Sequence, residues 1–240
     1  MEIKVFESAL EASEFVSNQM VKEIQANLKS CLGVATGRTM NAIYHHFVKL
    51  AKANNLDVSQ VSAFAVDEYL GLKHESPNSY KAYLDLHLFN QLNFNSELLH
   101  IPDVAKKDID LIGQEYEQNI LSAGGIDFQL LGIGMNGHIG LNEPGSAIDS
   151  RTRVVALTGS TIKSNKALFK DEVIPNTAVT MGIGTILDAK KIFMVATGQT
   201  KAQIVQKIVN GDVNSKVPAT ALKEHKNAFL ILDQDAAQLI

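Results

Sequence analysis

Short apolar segments alternate along this chain with stretches whose apolar residues recur at helical spacing. Most of the short segments are apolar at nearly every position, which is typical of strands buried on both faces of a parallel sheet. The predicted strands are Leu32–Thr36, Ala63–Asp67, Phe128–Ile133, Val154–Thr158, Ile192–Thr197 and Ala228–Leu232. Because alternating strands and helices form layered folds, we predict a three-layer, Rossmann-like α/β fold with a mostly parallel central sheet flanked by helices.

The intervening segments carry the spacing and the end signals of helices. In the segment Ser8–Lys29, apolar residues recur every three or four positions and form one stripe. Ser8 is followed three residues later by Glu11, a capping-box signature that predicts the start of this helix. The polar segment Asn93–Ile112 contains Pro102, and we predict an irregular insertion there. Further helices are predicted over Met40–Ala53, Ser79–Leu92 and Lys201–Val209.

Composition excludes several classes of protein. The 240 residues include 22 Lys and Arg against 26 Asp and Glu, a net charge of -4, which disfavours a nucleic-acid backbone as partner. The single cysteine, Cys31, excludes an internal disulfide and a cysteine-based zinc site. No apolar run is long enough for a membrane helix, and acids stand where a signal peptide carries cations. We therefore expect a soluble, cytoplasmic protein, and, because no linker or repeat divides the chain, a single domain over residues 1–240.

Ligands of open α/β sheets bind beyond the carboxyl ends of the strands, so the residues that follow each strand are candidates for a site. Gly37, Arg38 and Thr39 follow the first predicted strand and open a helix, whose free N–H groups favour a phosphate. The segment GVATGRT is not a Walker A loop, because it is one residue short and has Arg38 in place of Lys. An ordinary turn that needs Gly37 for its backbone angles would give the same pattern.

Two acids, Asp67 and Glu68, end the next predicted strand. An acid at the mouth of a sheet can act as a general base, and adjacent carboxylates raise each other's pKa. A helix cap or a solvated charge pair would use the same doublet, so both interpretations remain open at this point.

The segment Gly132–Ser146, GIGMNGHIGLNEPGS, carries the highest density of unusual residues. Its formal GxGxxG pattern follows a strand, but later glycines and a proline interrupt the helix that a dinucleotide site needs, and no acid ends the next strand. The loop instead presents Asn136, His138, Asn142 and Glu143. A carboxylate can orient a histidine for acid–base chemistry, and an asparagine amide can hydrogen-bond a substrate hydroxyl. We predict an acid–base site here, and no metal site, because His138 has no second histidine at helical spacing.

Lys201 lies in the first turn of a predicted helix, where the helix dipole disfavours a cation. An anion bound at the same helix end would account for it, as would a surface lysine whose stem packs on apolar residues. Two candidate anion sites and a polar acid–base loop indicate a small phosphorylated substrate.

Six segments, in order, resemble the glucosamine-6-phosphate deaminase family: GVATGRT, FAVDEYLGL, GIGMNGHIGLNEPGS, SRTRVV, AVTMGIGTIL and ATGQTKA. The resemblance extends from about Gly33 to Ala202. It implies a single α/β domain and an enzyme of amino-sugar catabolism that converts glucosamine 6-phosphate and water to fructose 6-phosphate and ammonia without a cofactor.

The resemblance also implies roles for individual residues. Asp67 would take the proton from carbon 2 of the opened sugar. His138 would move the proton at the ring oxygen during ring opening, with Glu143 and Asn136 in support. Some members have Asp where this chain has Asn136, so Glu143 becomes the expected partner of His138.

The phosphate would bind the backbone of Gly37–Thr39 and the ammonium group of Lys201. Many members have Ser or Gly followed by Thr-Pro at the position of Arg38-Thr39-Met40, which makes Arg38 an additional candidate ligand. Members often carry an Arg in a segment similar to Ser164–Phe169, and that position falls on Ala167, with Lys166 beside it.

Two other functions are compatible with these residues. A 6-phosphogluconolactonase on a similar fold would need a base that activates water but none at carbon 2, and the DEYLGL and HIGLNEP segments favour the deaminase. A sugar-phosphate sensor would reuse the fold without catalysis, but no helix-turn-helix segment is visible in the sequence. Some members are allosteric hexamers with a longer tail than Asp233–Ile240, so we expect an unregulated enzyme, either a monomer or a weak homo-oligomer.

Overall fold

Seven parallel strands form the central sheet of this protein. A computed structural model describes residues 1–72, 76–106, 108–165, 169 and 173–240. The strands are β1 (Glu2–Phe6), β2 (Cys31–Val34), β3 (Ser62–Ala65), β4 (Asp67–Tyr69), β5 (Leu99–His100), β6 (Phe128–Leu131), β7 (Arg153–Ala156), β8 (Thr177–Thr180), β9 (Lys191–Ala196) and β10 (Ala228–Asp233). The central sheet has the order β1-β10-β9-β6-β2-β3-β5, and helices flank it in the predicted three-layer α/β arrangement.

Helices were predicted less completely than strands. They are α1 (Ala9–Ala26), α2 (Arg38–Ala53), α3 (Tyr80–His87), α4 (Ile109–Ser122), α5 (Gly159–Asn165), α6 (Ile183–Leu187), α7 (Ala202–Asn210) and α8 (Gln234–Ala237). The Ser8 hydroxyl accepts a hydrogen bond from the Glu11 amide at 3.2 Å, so the predicted cap of α1 is confirmed. The predicted helix Ser79–Leu92 ends early, at α3, and continues as a short 3-10 turn over Phe89–Gln91. None of these helices is both long enough and apolar enough to cross a membrane.

A second sheet of three antiparallel strands, in the order β4-β8-β7, stands beside the first. The segment Val154–Thr158, which resembles the parallel strands in sequence, belongs to this sheet as β7. Its residues are half-buried or exposed, because an antiparallel edge strand is not covered on both faces. Only Val66 separates β3 from β4, so Asp67 lies where the chain passes from one sheet to the other.

The strand order reverses between β2 and β6. From β2 the chain continues to β3 and β5 on one side, and from β6 to β9 and β10 on the other. Such a reversal opens a crevice beyond the carboxyl ends of the two strands, where ligands of this fold class bind. The loops that leave β2 and β6 contain Gly37 and the segment Gly132–Ser146, so the topology brings the two predicted sites to one crevice.

Candidate active site

Asp67 is a buried carboxyl group at the junction of the two sheets, with 6% of its surface exposed. Burial, and then the charge of Glu68, raise its pKa to about 8. Burial and, among lesser causes, the charge of Asp67 raise the pKa of Tyr44, Tyr80 and Tyr116, which indicates that these phenols lie near it. A carboxyl group whose pKa lies near the working pH is suited to general-base catalysis.

Glu68, the second acid of the doublet, has a different environment. Its carboxylate accepts hydrogen bonds from three backbone amides, those of Tyr69 at 2.8 Å, Tyr80 at 2.9 Å and Lys81 at 2.8 Å. Tyr80 and Lys81 are the first residues of α3, so Glu68 holds the start of that helix. Of the two interpretations of the doublet, the helix cap therefore applies to Glu68, whereas Asp67 is the candidate base.

His138 packs against the backbone of its own loop. A Cβ atom at Gly134 would lie 2.2 Å from His138 Cε1, so only glycine allows the imidazole to take this position. The Nδ1 atom is buried, has no hydrogen-bond partner among the described residues, and lies 3.6 Å from Glu143 Oε2. This distance is that of an ion pair rather than of a hydrogen bond, and it makes Glu143 the carboxylate that faces His138.

Glu143 is almost completely buried and both of its carboxylate oxygens have partners. Asn136 Nδ2 donates to Oε2 at 2.6 Å, while the hydroxyls of Thr158 and Thr161 donate to Oε1, the former at 3.1 Å. Burial raises the pKa of Glu143, but the contact with His138 and the hydrogen bonds from Thr161 and Asn136 outweigh it and lower the pKa to about 2. Glu143 is therefore a permanent carboxylate beside the imidazole at neutral pH.

The Gly132–Ser146 loop closes against Asp67 through Gly140. This residue has a φ of +55°, and a Cβ atom there would lie 2.8 Å from Val66 Cγ1 and 3.6 Å from Asp67 Oδ2. The next amide, that of Leu141, donates to Thr180 Oγ1 on β8 at 3.0 Å. The structure therefore brings Asp67 and the loop of His138 together, as their positions at the strand ends predicted.

Asn142 fixes the loop from within. It is fully buried, donates to the carbonyls of Ile139 at 2.9 Å and Met181 at 2.8 Å, and accepts from Arg153 at 2.9 Å. Its amide is thus used by the protein and is not offered to a substrate. Arg153, whose pKa is lowered by burial, also reaches Ser146 at 3.3 Å.

The turn before α2 has the backbone of a candidate anion site. Gly37 has φ +116° and ψ 172°, a conformation that favours glycine, and α2 begins there without a side-chain cap. The Tyr83 hydroxyl donates to the Gly37 carbonyl at 2.9 Å and so ties α3 to this turn. Arg38 is exposed and Thr39 half-buried, and Arg38 forms no ion pair within the described part of the chain. The start of α2 is therefore open to a ligand.

Lys201 lies just before α7, in a 3-10 turn over Gln199–Lys201, and not in the first turn of the helix as predicted. Its ammonium group donates to the carbonyl of Ile133 at 2.6 Å, and burial lowers its pKa. Ile133 opens the loop of His138, so Lys201 points toward the crevice rather than along the surface. The Gly198 amide donates to both oxygens of Asp233, at 3.0 and 2.9 Å, which anchors the turn.

The sequence does not predict three residues that contact the site: Thr158 and Thr161, which donate to Glu143, and Asp233, which accepts from Gly198. They lie far along the chain from the loops that they hold, and a lone threonine or aspartate carries no signal of such a contact. The candidate phosphate contact Lys166 and its neighbour Ala167 lie outside the described residues. Within the described residues, no group of three potential ligands is arranged to hold a metal ion.

This chain is similar to known proteins over almost its whole length. A family model for glucosamine-6-phosphate isomerases and 6-phosphogluconolactonase matches residues 6–231. The glucosamine-6-phosphate deaminase of Rhodopirellula baltica is 43% identical over 241 residues, which cover 100% of this chain and 96% of the relative. That of Thermoanaerobacter sp. strain X514 is 42% identical over 231 residues, 96% of this chain and 91% of the relative.

Solved structures agree with the sequence relatives. A monomeric glucosamine-6-phosphate deaminase superposes with a TM-score of 0.97 at 35% identity, over 100% of both chains. The 6-phosphogluconolactonase of Trypanosoma cruzi has a TM-score of 0.78 at 20% identity, over 99% of this chain and 96% of its own. The second likeness shows a shared fold and no more.

Proposed function

Because this chain belongs to the family of glucosamine-6-phosphate isomerases and 6-phosphogluconolactonases, we propose that its site isomerises and deaminates glucosamine 6-phosphate. The observation that carries the proposal is Asp67, a buried carboxyl group with a pKa of about 8 that adjoins the loop of His138. A reaction that removes a proton from carbon needs such a base, and the relatives described above that are 42% and 43% identical over almost all of the chain are deaminases.

The reaction begins with opening of the sugar ring. His138 moves the proton between the ring oxygen and the anomeric hydroxyl, and the permanent negative charge of Glu143 stabilises the imidazolium that forms on the way. Asn136 supports this step indirectly, because it donates to Glu143 Oε2 at 2.6 Å and accepts from the His138 amide at 3.2 Å. These contacts hold the carboxylate of Glu143 next to the imidazole of His138.

The isomerisation requires a base at carbon 2. Asp67 takes that proton, an enediol-type intermediate forms, and return of a proton to carbon 1 converts the amino aldose to a ketose imine. Water then adds to the imine carbon and ammonia leaves, which gives fructose 6-phosphate. No step requires a redox cofactor or a metal, so we propose that the enzyme uses none.

The phosphate group binds at the edge of the crevice. Lys201 supplies the cation, the amides of Gly37, Arg38 and Thr39 supply the open start of α2, and Arg38 has its guanidinium free to join them. The half-buried position of Lys201, at 2.6 Å from the Ile133 carbonyl, supports this assignment over a surface lysine.

One assay separates the proposed activity from the alternatives. The purified protein is given glucosamine 6-phosphate, 6-phosphogluconolactone or unphosphorylated glucosamine, and release of ammonia or acid is followed. We expect ammonia from the phosphorylated amino sugar only. Hydrolysis of the lactone without ammonia release would favour the lactonase, and binding of sugar phosphates without turnover would favour a sensor.

The same proposal covers the organisation of the protein. Residues 1–240 form one catalytic domain, which the unbroken family match over residues 6–231 supports. The enzyme acts in the cytoplasm on a small sugar phosphate, with no nucleic-acid or membrane partner. It is a monomer or a weak homo-oligomer, and its likeness to a monomeric deaminase supports that state.

A further inference from the structure

We propose that Thr161 and Thr158 are positioning residues, which hold one oxygen of Glu143 so that the other oxygen faces His138. The inference rests on the proposed function, in which the pair of His138 and Glu143 serves ring opening. It concerns Oε1 of Glu143, the carboxylate oxygen that does not face the imidazole of His138.

The two oxygens of Glu143 have separate sets of partners. Oε2 receives the Asn136 amide at 2.6 Å and faces His138 Nδ1 at 3.6 Å. Oε1 receives the hydroxyls of Thr161 and Thr158, the latter at 3.1 Å. A carboxylate held at one oxygen only is free to rotate about its last bond, whereas partners on both oxygens determine its plane. The threonines therefore determine the direction in which Oε2 points.

The two threonines form one rigid unit at the start of α5. The Thr161 amide donates to Thr158 Oγ1 at 3.3 Å, and the two hydroxyl oxygens lie 3.2 Å apart. Thr161 is 4% exposed, so its hydroxyl is shielded from bulk water. The neighbouring Ile162 packs against a small core that includes Tyr69 and Leu141, which fixes α5 to the second sheet.

Loss of a threonine hydroxyl would weaken this geometry. Oε1 would remain buried with fewer donors, so the carboxylate is expected to rotate toward other donors and to take up a proton more readily. Both changes reduce the negative charge that Glu143 presents to His138. The hydrogen bond from Thr161 is also one of the contacts that keep the pKa of Glu143 low.

The test compares Thr161→Val, which keeps the shape but removes the hydroxyl, with Thr161→Ser, which keeps the hydroxyl. For Thr161→Val we expect a fall of about 10-fold or more in kcat for ammonia release, the scale of a lost hydrogen bond to a charged group, with little change in KM. Thr161→Ser is expected to restore most of kcat. If Thr161→Val does not fold, Thr158→Val removes the second hydroxyl from a less buried position.

A double-mutant cycle with Glu143→Gln separates positioning from a general structural defect. If Thr161 acts through Glu143, then Thr161→Val causes almost no further loss of kcat in the Glu143→Gln protein. A full additional loss in that background, an equal loss in Thr161→Ser, or parent-like kcat in Thr161→Val would each overturn the proposal.

A crystal structure of Thr161→Val tests the same inference without activity. Rotation of the carboxylate, with Oε2 farther from His138 Nδ1 than in the parent, is the expected result, and an unchanged carboxylate contradicts it. Absence of ammonia release in the parent protein would count against the proposed function and not against the positioning of Glu143.

Discussion

Asp67 and Glu68 show at the residue scale how neighbouring side chains of the same chemistry take different roles. Both are buried, but the Glu68 carboxylate accepts hydrogen bonds from three backbone amides. Burial, and then the charge of the neighbouring Glu68, raise the pKa of Asp67, so the proton is harder to remove from it. Burial alone would not distinguish Asp67, the proposed base, from Glu68, which holds the start of α3. The hydrogen bonds do distinguish them.

Replacement of the proposed base tests this distinction. We expect Asp67→Asn to lose turnover by at least ~100-fold, the lower scale of general-base effects, because the amide cannot accept the proton from carbon 2. The shape of the site is kept, so binding of glucosamine 6-phosphate, measured by calorimetry, is expected to persist. Turnover near that of the parent would remove Asp67 from its role.

The raised pKa of Asp67 also predicts a pH dependence. A base acts in its deprotonated form, so kcat/KM, which reports on the free enzyme, is expected to rise with pH and to level off above pH 8. Glu143, with a pKa of about 2, contributes no change in this range. Rates of ammonia release between pH 6 and 10 give the profile, and a kcat/KM already constant at pH 6 would contradict it.

We expect Lys201 to affect binding more than chemistry, because its proposed partner is the phosphate group on carbon 6, whereas the reaction takes place at carbons 1 and 2. We expect Lys201→Ala to raise KM for glucosamine 6-phosphate by roughly 10- to 100-fold, the scale of a hydrogen bond to a charged group, with a smaller effect on kcat. Lys207→Ala, an exposed lysine on α7, is the matched control. Equal turnover of glucosamine and its phosphate by the parent would dismiss the phosphate site altogether.

At the scale of elements, the strands that were predicted are those with a continuous apolar run. β4 contains two acids and β5 has two residues, so neither shows a periodicity, and only the pairing with β8 or β3 makes them strands. For β7, the apolar run correctly predicts a strand, but this strand belongs to the antiparallel sheet and not to the central parallel one. A short run predicts an extended backbone, whereas the choice of partner depends on contacts distant in sequence.

In the loop Gly132–Ser146, too, local features are predicted from the sequence and distant contacts are not. Its acid–base residues stand out as a dense polar group among glycines, and the rule of strand ends predicts where it lies. The hydroxyls of Thr158 and Thr161 come from a segment with no such signal, and they meet Glu143 only because β7 and α5 fold over the loop. The sequence therefore predicts the groups proposed to react and the support of His138 by Glu143 and Asn136, but not the threonines that contact Glu143.

Gly134 and Gly132 of this loop differ in the space that is available for a Cβ atom, and substitution by alanine tests the difference. Gly134→Ala places a Cβ atom 2.2 Å from the His138 ring, which must then move. Because displacement of a catalytic group by about 1 Å can cost ~100-fold, we expect kcat to fall on that scale. Gly132→Ala meets only Met40 Cε, at 3.6 Å, and is expected to keep most of its turnover. Similar kcat values for both variants would show that His138 does not depend on Gly134.

At the scale of the whole molecule, the net charge of -4 is a poor guide to the ligand. A dianionic substrate is attracted by local donors, and these lie where β2, β6 and β9 end side by side in the central sheet. The reversal of strand order thus brings a cation, an open helix start and the acid–base loop to one crevice. The long-range field of an acidic protein is screened over about 10 Å, whereas these contacts are not.

The proposed state, an unregulated monomer or weak homo-oligomer, has a kinetic consequence for the whole enzyme. A protein with one site and no strongly coupled subunit has no second site to which substrate binding could be coupled, so we expect hyperbolic dependence of rate on glucosamine 6-phosphate. Light scattering after gel filtration is expected to give a mass near 26.1 kDa, and N-acetylglucosamine 6-phosphate is expected to leave the curve hyperbolic. A sigmoid curve that the N-acetyl sugar makes hyperbolic, together with a larger mass, would show instead that copies of this chain assemble and that a second sugar-phosphate site controls the first.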